Sequence, residues 1–167
     1  MNIIVQKFGG TSVSTEDRRK QVAIKVKEAI ENGFTPIVVV SAMGRKGQPY
    51  ATDTLLTLID DKFKETNRNS KDLLMCCGEI ISSVVVANAL YNEGIEAVPL
   101  TGGQAGIITD DNFCEAEYIS IDIDRLLSVV REGKVPVVTG FQGITKDGYF
   151  TTLGRGGSDT TACILGN

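Results

Sequence analysis

The sequence contains no histidine. That removes the Ser-His-Asp and Cys-His mechanisms and the commonest transition-metal ligand. Acid, base or electrostatic work must then fall to Lys, Arg, Asp, Glu or the backbone. No Lys/Arg-rich run occurs and the net charge is −4, which argues against a nucleic-acid partner. No apolar stretch reads as long enough to cross a membrane, so no membrane partner is expected. The first residues, Met1-Asn2-Ile3-Ile4-Val5, lack the basic region and cleavage site of a signal peptide, and a cytoplasmic protein is expected. Neither Gly-x-x-x-x-Gly-Lys-Ser/Thr nor Gly-x-Gly-x-x-Gly occurs, so the common nucleotide fingerprints are missing. The four cysteines, Cys76, Cys77, Cys114 and Cys163, match no zinc or disulfide spacing; reduced thiols and no bound metal are expected.

What remains is an ordinary globular composition. The chain has 167 residues, 42% apolar and 23% charged, enough for one domain with a sizeable core and no internal repeat or linker. Asn2–Lys7 is a short apolar run stopping at Phe8-Gly9-Gly10, the pattern of a buried strand entering a glycine loop. Ser14-Thr15-Glu16-Asp17 offers a cap and an acidic first turn to a helix running to Gly33. Pro36–Val40 is apolar throughout, as in a strand covered on both faces. A loop over Arg45–Ala51, a helix from Thr52 to Thr66, a polar break at Asn67–Ser70 and a buried helical stretch from Asp72 to Tyr91 follow. Ile95–Leu100 reads as the third strand, Asp110–Ala116 as loop and Tyr118–Ile121 as a short strand. Asp122–Arg131 reads as an Asp-capped helix and Val135–Thr139 as the fourth strand. Lys146-Asp147-Gly148-Tyr149 is a hairpin turn signal, and Gly154–Ser158 a second glycine loop before a helix over Asp159–Leu165. Strands alternating with helices predict right-handed crossovers and a mainly parallel sheet with helices on both faces.

Each predicted parallel strand ends in small or polar residues: Lys7-Phe8-Gly9-Gly10-Thr11-Ser12, Ser41-Ala42-Met43-Gly44, Thr101-Gly102-Gly103-Gln104 and Thr139-Gly140-Phe141-Gln142. Ligands of open α/β sheets bind beyond the carboxyl ends of the strands, so these segments are expected to line one edge. Lys7 is either a snorkelling strand-end residue or a point charge for a phosphate, with the following glycine amides and helix N-terminus completing an anion site. Gly154-Arg155-Gly156-Gly157-Ser158-Asp159 is either a flexible surface loop or a ligand loop. In the second case Arg155 offers a fork for a carboxylate. Ser158 or Asp159 would cap the helix, and Asp159 would bind a ligand ammonium or hold a catalytic lysine. Glu79 sits inside an apolar helix, where an acid is costly to bury unpaired. It either faces solvent or points into a ligand cleft. Ser41 and Thr52 also have ordinary readings, a strand-end turn and a helix cap.

Taken together, Lys7–Val13, Ser41–Gly44, Gly78-Glu79, Thr139–Gly143 and Thr152–Ala162 resemble the signatures of the aspartate kinase branch of the amino-acid kinase superfamily, in order and spacing. The resemblance covers essentially the whole chain, and its first and last segments are the specific ones. It implies a three-layer α/β/α sandwich and the phosphorylation of L-aspartate by ATP to 4-phospho-L-aspartate, with Mg²⁺ carried on the ATP phosphates. By similarity, Lys7 contacts the transferring phosphate and Asp159 orients it or the substrate ammonium. Gly9, Gly10, Ser12, Gly156 and Gly157 would line the phosphate loops, and Ser41, Thr52, Glu79, Arg155 and Ser158 the aspartate pocket. The Arg45–Ala51 insertion leaves the place of Thr52 less secure. A glutamate-type kinase of the same superfamily, or a non-catalytic amino-acid or anion-binding module, stand as alternatives.

The resemblance also implies that residues 1–167 are the N-terminal portion of the catalytic domain. The last helix carries Ala162, Ile164 and Leu165, which need a partner surface, with no strand following. A chain without appreciable kinase activity by itself is expected, with an open sheet edge that favours a homo-oligomer.

Overall fold

The structure, a computed structural model, describes residues 1–154 and 156–167. The principal sheet has four parallel strands in the order β1-β2-β6-β3, formed by Ile3–Phe8 (β1), Thr35–Val40 (β2), Ala97–Leu100 (β3) and Val135–Thr139 (β6). β2 and β6 are central and buried at nearly every position, which is why their sequences show no polar alternation. The alternation is present in space instead. Val38, Val40, Val135 and Val137 face one side with Val22, Ala23 and Val26 of helix α1 (Glu16–Glu31) and Val86 and Leu90 of α4 (Arg68–Asn92). Ile37, Val39, Leu100 and Val138 face the other with Leu126, Val129 and Val130 of α5 (Asp124–Arg131) and Ala162 and Leu165 of α6 (Gly157–Gly166). The result is the expected three-layer α/β/α sandwich. Each of the fully buried valine, leucine and isoleucine side chains among these contributes about 1.5–3 kcal/mol over leaving it in water.

Several local expectations are corrected. The helix predicted over Thr52–Thr66 is two short helices, α2 (Thr52–Leu56) and α3 (Asp61–Thr66). The Thr57 hydroxyl back-bonds to the Thr54 carbonyl at 2.6 Å, and Asp60 takes an extended backbone. The polar stretch Asn67–Ser70 is not a break of four residues, because α4 starts at Arg68 and runs unbroken through 25 residues. By length and composition α4 is long and apolar enough to cross a membrane, contrary to the sequence reading. Here it packs on α1, α2, β3, β6 and β8 (Phe150–Thr152) and carries buried Asp72 and Glu79. α5 begins two residues later than expected, with Asp122 accepting the N–H of Asp124 at 3.1 Å. Neither Ser158 nor Asp159 caps α6. Its cap is Gly156, in a left-handed conformation, and no side-chain cap bond is made. The surface that Ala162 and Leu165 were expected to lack is the outer face of the sheet.

A second sheet went unread in the sequence. It runs β5-β4-β7-β8, from Ile107–Thr109 (β4), Tyr118–Ile121 (β5), Gln142–Ile144 (β7) and β8. Its strands are three or four residues long, below the length at which alternation shows. The strand expected over Tyr118–Ile121 is β5, and Lys146–Tyr149 signalled the β7–β8 hairpin; β4 and the pairing of these strands into a sheet had no signal. Asp72 ties this sheet to α4. Its carboxylate accepts the Thr152 N–H at 2.9 Å, the Thr152 hydroxyl at 2.6 Å and the Cys114 N–H at 2.9 Å.

Asp72→Ala leaves two backbone donors without their acceptor and is expected to cost about 2–4 kcal/mol in urea denaturation. Asp72→Asn keeps an accepting oxygen and recovers part of the loss. Equal stability of wild type and Asp72→Ala would contradict this role.

Candidate active site

Because the four strands of the principal sheet are parallel, their carboxyl ends emerge at one edge and are stitched together there. The Ser41 N–H reaches the Phe8 carbonyl at 3.1 Å, the Gly140 N–H the Val40 carbonyl at 2.8 Å, and the Gly102 N–H the Thr139 hydroxyl at 2.8 Å. A cleft of about 350 Å³ opens over these ends. Gly10, Ser41, Thr52, Glu79, Gly157 and Ser158 line it, all six predicted from sequence. Gly10 is there for space. A Cβ at this position would lie 2.5 Å from the Ala42 carbonyl oxygen and 2.8 Å from that of Gly44, so the segments after β1 and β2 touch only because a side chain is absent.

Lys7 Nζ lies 3.0 Å from Asp159 Oδ1, joining the end of β1 to the first turn of α6, next to Ser158. The pair is partly exposed, so its contribution to stability is small. Its value is positional: an ammonium is held beside Gly9, where a Cβ would stand 3.6 Å from Nζ. Ser41 Oγ and Ser158 Oγ meet at 2.8 Å across the cleft. Glu79 is 3% exposed and its Oε2 has no hydrogen-bond partner among the described residues. Burial pushes its carboxyl up to about 8, while the N–H groups of Glu79 and Ala42 pull the other way. A buried carboxyl with an unmet oxygen at a cleft wall is suited to a ligand donor such as an ammonium group.

Not every predicted residue is in the cleft. Ser12 is exposed, and its N–H closes a turn onto Gly9 at 2.9 Å. Lys7, Gly9, Gly156 and Asp159 also lie outside the lining set, the Lys7–Asp159 pair standing beside the cleft next to Ser158. Arg155 falls outside the described residues. Sequence reasoning missed Arg45, Lys46, Asp53 and Phe141, all of which line the cleft. Arg45 Nε reaches Thr11 Oγ1 at 3.1 Å, bridging the loops after β1 and β2. Its only sequence signal was its place directly after Ser41–Gly44. Phe141 lies in the strand-end segment expected at the ligand edge, but nothing in the sequence marks its φ of 73°, rare for an aromatic residue and costing about 1–2 kcal/mol. The four thiols are unpaired: Cys76 is buried, Cys77 and Cys114 partly so, and Cys163 exposed. Burial, with the charges of Glu79 and Asp72, pushes the Cys76 thiol far above its ordinary value, so it is an inert core group.

The sequence profile of the amino acid kinase family matches residues 2–167. The chain belongs to that family. Among its members the chain is similar to Aspartokinase 1 of Bacillus subtilis (strain 168), 51% identical over 99% of this chain and 41% of that protein. It is also similar to the aspartokinase of Geobacillus stearothermophilus, 44% identical over 99% of this chain and 39% of that protein. The chain thus spans about two-fifths of the length of these curated relatives. The crystal structure of aspartate kinase from Synechocystis superposes with a TM-score of 0.74 at 40% identity, covering 99% of this chain and 26% of that one. Aspartokinase III of E. coli, solved with aspartate and ADP, shares the fold at a TM-score of 0.78 and 24% identity, covering 99% of this chain and 46% of that one.

The buried Glu79 sets a pH dependence. Above its ordinary value of 4.5 the unfolded chain is ionised, whereas the folded chain holds the proton up to about 8. Folding therefore binds a proton across this window, and stability falls as pH rises through it. Glu79→Gln is expected to flatten the slope between those limits and to raise the thermal midpoint at pH 8 relative to wild type. Parallel pH profiles for the two proteins would show that Glu79 is ionised in both states.

Proposed function

We propose that this chain forms the amino-acid and phosphate half of an aspartate kinase site, serving ATP-dependent phosphorylation of the L-aspartate side chain to 4-phospho-L-aspartate. The observation that carries this reading is the arrangement of Lys7, locked to Asp159, on the same glycine-lined edge as the buried, unmet carboxyl of Glu79. A binding module needs an ammonium-accepting acid; it does not need a lysine fixed by an aspartate beside a phosphate-sized loop.

In this reading an oxygen of the aspartate side-chain carboxylate forms the new bond to the γ-phosphorus as the bond to the bridging oxygen of ADP breaks and ADP leaves as an anion. The acceptor is already ionised at neutral pH, so no general base is needed. Glu79 takes the substrate ammonium, and Ser41 and Ser158, with Thr52, hold a carboxylate. Arg155 is assigned to a carboxylate as well. Lys7 neutralises charge on the transferring phosphate, and Asp159 keeps it in place, assisted by the amides of the Gly9–Ser12 and Gly156–Gly157 loops. Mg²⁺ carried on the ATP phosphates would supply further charge neutralisation there.

Three further parts belong to the same proposal. The chain turns over slowly by itself, because it spans about two-fifths of its curated relatives and orientation of both substrates is what makes phosphoryl transfer fast. It self-associates, because β1 is paired on one side only and leaves an open edge. Its place is the cytoplasm, where both substrates and reducing conditions for free thiols are found.

Titration calorimetry with L-aspartate and L-glutamate, beside a non-hydrolysable ATP analogue, tests the reading. Aspartate is expected to bind at least about tenfold tighter than glutamate. At pH 7 its binding should release a proton as Glu79 ionises, seen as a buffer-dependent enthalpy. No aspartate binding, or equal binding of both, would overturn it. A coupled ADP-release assay on this chain beside a full-length aspartokinase tests the activity claim, which comparable turnover by the two would refute.

A further inference from the structure

Thr161 is fully buried on α6, outside the cleft lining, and has no part in the chemistry above. Its hydroxyl joins two segments. Oγ1 accepts the Phe141 N–H at 3.0 Å and donates to the Gly157 carbonyl at 3.4 Å. One hydroxyl has the capacity for both bonds. The Phe141 carbonyl is taken in turn by the Leu153 N–H at 2.8 Å. Phe141 is therefore held at both backbone polar groups in its left-handed conformation, in the two-residue turn between β6 and β7.

The turn and the start of α6 lie against each other. A Cβ on Gly157 would lie 3.0 Å from Phe141 Cδ2, so the aromatic ring rests on the Gly157 backbone. A Cβ on Gly140 would lie 2.5 Å from Ser158 Oγ. Phe141, Gly157 and Ser158 all line the cleft, and Ser158 meets Ser41 at 2.8 Å.

We propose that Thr161 is a positioning residue: its hydroxyl latches the left-handed Phe141 turn to the first turn of α6 and thereby fixes Ser158 against Ser41 in the cleft. The inference rests on reading that cleft as an aspartate site. Without the hydroxyl the partly buried Phe141 N–H loses its acceptor, and the strained turn loses what holds it. The ring then leaves Gly157, and the serine pair opens. The methyl group makes neither hydrogen bond, so serine keeps the latch and valine removes it while nearly keeping the side-chain volume.

The test compares wild type, Thr161→Ser and Thr161→Val by L-aspartate titration, thermal midpoint and amide exchange at Phe141. Thr161→Val is expected to weaken aspartate binding about tenfold and to speed Phe141 exchange by a similar factor. Thr161→Ser should stay within about twofold of wild type in both. Wild-type affinity in Thr161→Val overturns the latch, and so does an equal loss in Thr161→Ser. Phe141→Gly supplies a second background, because glycine takes the left-handed turn unaided. There Thr161→Val should change affinity by less than about twofold, and an undiminished effect overturns the proposal. If wild type binds no aspartate, the functional reading falls. Phe141 exchange in the ligand-free proteins then decides the latch by itself, equal rates in all three counting against it.

Discussion

The parallel direction of the four central strands is the constraint on which the site depends. It brings four carboxyl ends to one edge, where a ligand meets the short segments after the strands rather than the strands themselves. It also demands that those ends stay level. The bonds from Ser41 to Phe8, from Gly140 to Val40 and from Gly102 to Thr139 do that. A slip of one residue in β2 would turn Ile37 and Val39 toward the α1 and α4 face and pull Ser41 away from Ser158. Packing of the two faces thus enforces the register, and the register sets the site.

Helix α4 shows how one element serves core and cleft together. Asp72 and Glu79 stand seven residues apart, two turns, and so on nearly the same side of the helix. Both are buried. Asp72 is saturated by Thr152 and Cys114 and acts as a bolt between α4 and the small sheet. Glu79 keeps one oxygen unmet and faces the cleft. Identical chemistry yields a structural group in one place and a ligand-seeking group in the other, and the difference is whether the protein supplies the donors.

Legibility followed physical locality. The central strands and α1 were readable because period, caps and glycine stops are local: Thr15 does accept the Arg18 N–H at 3.3 Å. The four ligand segments were readable because strand ends are local too. The second sheet as a whole was not, since its strands are short and the β4–β7 pairing that joins its two hairpin-like halves spans Ile108 to Ile144. Asp72 looked like a polar residue at the head of an apolar stretch, and only the distant β8 makes it a buried acceptor. Ser158 resembled a cap. Its hydroxyl is instead taken by Ser41, 117 residues away, while Gly156 caps the helix by its left-handed backbone. Arg45 belongs to the cleft through a loop path, and Phe141 faces it through a left-handed backbone angle within a readable strand end; neither the path nor the angle has a residue pattern.

On the proposed aspartate kinase reading, the absence of histidine finds its explanation in the acceptor. A carboxylate needs no deprotonation, so the site is relieved of the task for which a group titrating near neutrality is used. What remains is like-charge repulsion between an anionic acceptor and a polyanionic donor. That calls for fixed cations, and a lysine or arginine serves better than a group that loses its charge as pH rises. Lys7 is fixed by Asp159 and Arg45 by Thr11, so neither ammonium nor guanidinium must be ordered at the moment of reaction. Glu79 adds the complementary device. Held neutral by burial near pH 7, it adds no negative charge to the empty cleft and gains its charge only when an ammonium arrives to share it. On the aspartate kinase reading, the cleft therefore carries its acidic group in a form that does not repel the two carboxylates of the substrate on approach.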